Sequence, residues 1–227
     1  MAAPQTSSLV QHLRQDLLYR LRWDLTRPVE EMEIELATEA QDQTIITPFL
    51  DHPLADEPLF DLLRLKCIDE IFISDFAHKL DREFFALEEC KYKPPAFLKI
   101  DNASKGGSPI TFRQFVTDFH AYVGRNMEEL KKAKDEVYGE PYTDADGTQG
   151  TEIVVGRPVK VREDVKILFD QMRPANRNGV VKLEVLSYAE GEKIPRNDFW
   201  GQRLSVARSF DARRKYLLVA SLHRNDP

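Results

Sequence analysis

His120 is the side chain whose type and position could most readily do chemistry. At 100° per residue it lies roughly 90° from the centre of a helical apolar stripe, on the flank where a pocket between helix and sheet would open. Asp118 and Tyr122 are near it in sequence, but residues two apart do not face each other on a helix, so an acid–base partner must come from another segment. The polar groups expected around such a pocket are His120, Tyr122, Arg208 and Tyr216. The ordinary alternative is a boundary histidine bonded to a neighbour.

Asp75, His78 and Asp81 stand at i, i+3 and i+6, a spacing that puts three potential metal ligands on successive helical turns and is also common on solvated faces. Lys105-Gly106-Gly107-Ser108 precedes a helix start, where backbone amides can receive an anion. It fits neither GxxxxGK[ST] nor GxGxxG, and a tight strand-to-helix turn wants glycines in any case, so no cofactor is expected. Asp144 and Asp146 hint at calcium but lack the ligand spacing of an EF-hand. Asp51-His52, among prolines, is read as a turn. Phe199-Trp200-Gly201-Gln202-Arg203, Arg208 and Arg213-Arg214-Lys215-Tyr216 interleave basic and aromatic residues, as a surface for single-stranded nucleic acid would. No nucleophile-elbow or zinc-protease pattern is present, and the sequence leaves enzymatic activity open.

The helix that would carry His120 is the clearest local instruction in the chain. Thr111-x-x-Gln114 is a capping box, with Ile110 and Phe115 as its hydrophobic staple. Phe112, Phe115, Val116, Phe119, Tyr122, Val123, Met127, Leu130 and Val137 then recur at three- and four-residue spacing. Gly124 and Asn126 interrupt the run, so a helix over 112–137 is predicted to be kinked or to be two abutting helices, closed at Gly139. Upstream, a helix capped by Ser7 or Ser8 would align Leu9, Val10, Leu13, Leu17, Leu18 and Leu21. Pro28 to Gln41 fits either period and is assigned to helix. The prolines from Pro48 to Pro58 suggest a surface connector between an N-terminal helical segment, 1–50, and an α+β core, 51–227, the alternative being one continuous domain. Leu59 to Cys90 is predicted as two helices broken near Ser74-Asp75, and Ala96 to Asp101 as a short strand.

After Gly139 the pattern turns to period two. Val159, Val161, Val165, Ile167 and Phe169 alternate with polar residues; Asn178-Gly179 marks a turn; and Val181, Leu183 and Val185 continue the alternation. Leu204, Val206 and Phe210, then Tyr216 to Leu222, are read as further strands. The predicted fold is α+β: N-terminal helices, and one long central helix packed on a C-terminal antiparallel sheet of four or five strands.

Pro94-Pro95-Ala-Phe-Leu-Lys-Ile-Asp, Gly106-Gly107, Pro-Ile-Thr-Phe-Arg-Gln-Phe-Val and His120-Ala-Tyr, roughly residues 94–123, resemble a stretch found in fungal proteins without an assigned activity. The resemblance implies strand, turn and helix-cap structure and no catalytic residue.

Composition sets the outer bounds. The 227 residues are 42% hydrophobic and 31% charged, which suits a globular core. The net charge of −6 is uneven: the first 100 residues carry 11 basic against 19 acidic side chains, and residues 151–227 carry 15 against 10. An acidic whole opposes long-range attraction to phosphates, so nucleic acid is the least favoured partner. Cys67 and Cys90 form no CxxC and fit a reducing compartment, cytoplasm or nucleus. No apolar run reaches the roughly 20 residues needed to span a membrane. Abundant apolar helical surface without convergent catalytic groups favours a non-enzymatic interaction or assembly module, with a protein partner or self-association. A small-molecule pocket between sheet and helix is the alternative.

Overall fold

The structure, a computed structural model, describes residue 9 and residues 11–37, 44–61, 63–82, 92–135, 140–143, 149–152, 165–175, 180–190 and 196–223. The fold is α+β. Its centre is a mixed four-stranded sheet formed by β4 (Cys67–Ile73), β5 (Leu98–Asp101), β8 (Ile167–Pro174) and β9 (Lys182–Ala189), in the order β5-β4-β9-β8. β4 runs parallel to β9, and the outer pairs are antiparallel. The antiparallel C-terminal sheet of four or five strands is therefore corrected: only β8 and β9 come from that half, and the middle of the chain supplies β4 and β5. The alternating Val181, Leu183 and Val185 are buried as their period demands. The expected strand around Val159 and Val161 and the turn at Asn178-Gly179 lie outside the described residues.

The N-terminal segment is not a helical unit. Its leucine stripe is buried as predicted, but the helix breaks at Leu13, which bridges to Phe60, and Arg14, whose N–H donates to the Leu59 carbonyl. A single turn, α1 (Gln15–Leu18), follows, and then β1 (Leu21–Arg22). The helix assigned to Pro28–Gln41 is likewise overturned, because a 3₁₀ turn at Val29–Glu31 leads into β2 (Glu33–Ala37). β2 pairs antiparallel with β1 and with β3 (Thr44–Pro48), so Met32 and Ile34 follow period two into the core. Cross-strand packing outweighs the helix propensity of Glu, Met and Leu here. The proline-rich connector is tied down as well. Phe49, Ala55, Leu59 and Phe60 are buried in one cluster with Leu9, Trp23, Phe115 and Phe169, and His52 Nδ1 accepts from Leu54 N–H (3.2 Å), capping the 3₁₀ turn Pro53–Asp56.

β4 stands where the first of two helices was expected; α2 (Ser74–Arg82) begins at the predicted break. A register shift between Ile68 and Ile71 spaces the buried residues of β4 at three and then two, and this imitates a helical pattern. The expected strand near Ala96–Asp101 is β5. The central helix is two, as its sequence indicates: α3 (Phe112–Arg125) and α4 (Met127–Asp135) abut at Asn126, whose amide donates to the Tyr122 carbonyl (2.8 Å). Thr111 caps α3, its hydroxyl accepting from Gln114 N–H (3.3 Å). The other half of the capping box is replaced, because the Gln114 side chain pairs reciprocally with Asn102 (both bonds 2.8 Å). The closing position, Gly139, lies outside the described residues.

β6 (Glu140–Thr143) and β7 (Gln149–Glu152) form a separate antiparallel pair. The chain ends in α5 (Arg196–His223), which replaces the strands predicted at Leu204–Phe210 and Tyr216–Leu222. Its inward positions Phe199, Arg203 and Ala207 recur every four residues, and the arginine among them hides the stripe from a hydropathy reading. Trp23 fills the space between α3 and the sheet: its ring lies edge-on to Phe115 (6.4 Å) and Phe119 (5.8 Å) and stacks on Phe169 (5.4 Å).

Candidate interaction site

Each predicted site residue has a definite place. His120 sits on α3, half-buried and stacked on Trp23 at 6.2 Å, with Nδ1 buried and without a hydrogen-bond partner. Burial lowers its pKa, and the Glu30 carboxylate pulls weakly the other way. It borders an open cleft of about 540 Å³ whose other walls include Leu25, Pro28, Met127, Lys131 and Val165. Among the described residues no carboxylate lines that cleft to serve His120 as an acid–base partner. Tyr122 points elsewhere, into the core against Phe119 (6.2 Å), and burial raises its pKa. Arg208 and Tyr216 are exposed on α5, Tyr216 at 73%, and neither reaches the His120 cleft. The four residues do not share a site.

The proposed metal ligands also separate. Asp75 is buried: its Oδ1 accepts from Lys134 Nζ (2.9 Å) and its Oδ2 from the Ser187 hydroxyl (2.9 Å), while Lys134, 0% exposed, also donates to the Ser187 carbonyl (3.0 Å). His78 and Asp81 are on the exposed side of α2. Asp75 thus pins α2 and α4 to β9, and among the described residues no group of three or more His, Cys, Asp or Glu side chains could hold a metal ion. The Lys105-Gly106-Gly107 turn is explained by backbone geometry. Gly106 adopts φ +67°, and a Cβ on Gly107 would stand 2.8 Å from the Asn102 carbonyl oxygen. Asp144 and Asp146 lie outside the described residues.

The basic and aromatic stretch is divided: Phe199 and Arg203 turn inward, while Arg208, Arg213, Lys215 and Tyr216 are exposed. Arg203, 3% exposed, sits over the rings of Tyr19 (5.2 Å), Phe169 (5.6 Å), Phe199 (5.5 Å) and Trp200 (5.9 Å). Its Nη2 donates to the Leu18 carbonyl (2.8 Å), its Nη1 lies 3.5 Å from Asp170, and burial lowers its pKa to about 10. Asp170 is raised by the same desolvation, which its arginine neighbours only partly offset. Arg214 pairs with Asp61, whose other oxygen lies 3.7 Å from the buried Arg14. Phe199 is buried and Trp200 half-buried under Arg22 (5.1 Å). These rings and cations bind α5 to the N-terminal segment.

The feature the motif search missed is β3. In the order β1-β2-β3 it is an edge strand, and it exposes Ile45 (57%) and Ile46 (44%). Phe49 N–H donates to the Met32 carbonyl (2.9 Å), and Thr47 and Ile45 lie opposite Ile34 and Leu36. Because hydrogen-bonded pairs alternate along an antiparallel ladder, Thr47 and Ile45 turn their backbone groups toward β2, and Thr44 and Ile46 turn theirs outward. Pro48 ends the strand at an outward position, where its missing N–H costs the ladder nothing. The β-branched run Thr44-Ile45-Ile46-Thr47 was the available sequence signal. Comparison of the chain with family models, with curated proteins and with solved structures finds no match. No helix among the described residues is long and apolar enough to cross a membrane.

Proposed function

We propose that the protein is a non-enzymatic protein–protein interaction module that accepts an additional strand along β3. The observation that carries this reading is an uncharged apolar edge with outward-facing backbone groups at Thr44 and Ile46. Main-chain hydrogen bonds from such an edge supply affinity, and flanking side chains select the partner. The filling of the α3–sheet interface by Trp23 and the inward turn of Arg203 weigh against an interior ligand pocket and a nucleic-acid surface. Titration with extended Val/Thr-rich peptides, followed by fluorescence polarisation, tests the proposal: saturable binding is expected, and Ile46→Pro, which deletes an outward donor, abolishes it. Failure of every such peptide to bind, with the Thr44 and Ile46 amides exchanging slowly in the isolated chain, removes the reading.

The cleft beside His120 supports a second reading, binding of a small apolar molecule at the α3 flank. A fragment screen followed through the His120 ring resonances tests it, and resonances that never move eliminate it.

A further inference from the structure

The cleft at the α3 flank carries this inference, which rests on the second reading above and names the class of molecule that the cleft takes. Its walls are apolar at Leu25, Pro28, Met127 and Val165, and its volume of about 540 Å³ is within the range of small-molecule sites. The charges on its lining are of one sign: Arg27 and Lys131 border it, and among the described residues no Asp or Glu does. We infer that the cleft binds a monocarboxylate with a compact apolar body, the carboxylate received by Arg27 and Lys131 and the body laid against Leu25, Met127 and Val165.

Arg27 can serve without giving up its existing partner. Its Nη1 donates to Glu31 Oε2 (2.9 Å), a pair exposed on both sides, at 60% and 50%. Exposed pairs of this kind contribute little, and among the described residues Nε and Nη2 remain for the planar fork that a carboxylate matches. The neighbouring carboxylates stand off the lining. Asp24 is taken up by the Thr26 N–H (3.0 Å) and hydroxyl (2.6 Å), Glu31 by Arg27, and Glu30 acts on His120 from outside the cleft. His120 itself adds a polar wall without a third charge, because burial lowers its pKa and leaves the ring neutral near pH 7. An amine in the same place would meet two like charges, and an alcohol would leave the fork half met.

A chemical-shift titration of the full chain, read at the His120 ring and the Met127 methyl, tests this with phenylbutyrate, phenylbutanol and phenylbutylamine, one apolar body under three head groups. Phenylbutyrate is expected to bind saturably and about tenfold or more tighter than phenylbutanol, the margin of a hydrogen bond to a charged group, with the amine weakest. The Arg27→Gln/Lys131→Gln double variant should bring the acid down to the alcohol's affinity and leave the alcohol unchanged. Gly124 lines the cleft, and a Cβ there meets nothing within 4 Å, so Gly124→Trp should fill the space and remove binding while keeping the wild-type circular dichroism spectrum. Acid and alcohol binding alike, the amine binding best, a preference for the acid that survives the double variant, or binding that survives Gly124→Trp overturns the inference. Equal binding of acid and alcohol that Gly124→Trp abolishes leaves the cleft reading standing without the carboxylate; if none of the three compounds moves either resonance, the cleft reading falls as well.

Discussion

β8 and β3 are both outer strands, and the chain treats them in opposite ways. The outer edge of β8 is covered: Phe169 N–H donates to the Trp23 carbonyl (2.9 Å), Leu25 N–H donates to the Ile167 carbonyl (2.7 Å), and the Gln15 amide reaches the Met172 carbonyl (2.7 Å). Arg203 holds the covering segment in place through the Leu18 carbonyl. Another outer strand, β5, is four residues long and carries the Lys99–Asp101 ion pair (3.7 Å), a charged and short edge of the kind that resists adventitious pairing. Among the described residues nothing covers the outer edge of β3, and its own side chains carry no charge. The contrast between two protected edges and the apolar edge of β3, uncovered among the described residues, is what the strand-acceptor proposal rests on.

The comparison can be broken most severely at the covered edge. Trp23→Ala removes the ring that joins the covering segment to α3 and β8, and should cost about 3–5 kcal/mol in a urea titration, the range for a large aromatic lost from a core. Arg203→Leu should cost about 2–4 kcal/mol, because it leaves half-buried Asp170 without its nearest cation and frees the Leu18 carbonyl. Amide exchange at Phe169 should accelerate with it, and an unchanged Phe169 amide would show that Arg203 does not hold the cover.

His120 gives a smaller, pH-dependent effect. Its pKa is lowered in the fold, so the folded protein binds that proton less readily than the unfolded chain does. The stability contributed is complete above the unfolded value of about 6.5 and is lost as pH falls through the lowered folded value. Between pH 7.5 and pH 5, the melting temperature of wild type should therefore fall more than that of His120→Gln. Equal slopes would place the titration elsewhere. The smallest stability change is expected at the bare edge, where Ile45→Lys should stay within about 0.5 kcal/mol of wild type in dilute solution, since the exposed side chain supports association rather than the monomer.

Elements whose instructions are local were legible in the sequence. Thr111 caps α3 where the motif places it, Asn126 divides α3 from α4, and β5 and β9 follow their turn and period-two signals. Errors arose where distant contacts redefine a residue's environment. The register shift in β4 gives a strand a helix-like spacing, and Arg203 occupies a buried position of α5 only because aromatic rings from the N-terminal segment, β8 and α5 itself receive it. The same holds for the site. The phase of His120 on its helix is a local property, but its stack on Trp23 and the ion pair of Asp75 with Lys134 are made by the fold. Thr44-Ile45-Ile46-Thr47 announces a strand; that no described strand pairs beyond it in the sheet is a property of topology.

Residue-resolved hydrogen exchange of the dilute chain tests the contrast between the two edges most directly. The Phe169 and Leu25 amides should exchange slowly and the Ile46 amide fast, with Ile46 and Thr44 becoming protected when an extended peptide binds along β3. An Ile46 amide as slow as Phe169 in dilute solution would mean that β3 is already covered within the monomer, and the bare edge would have to be given up.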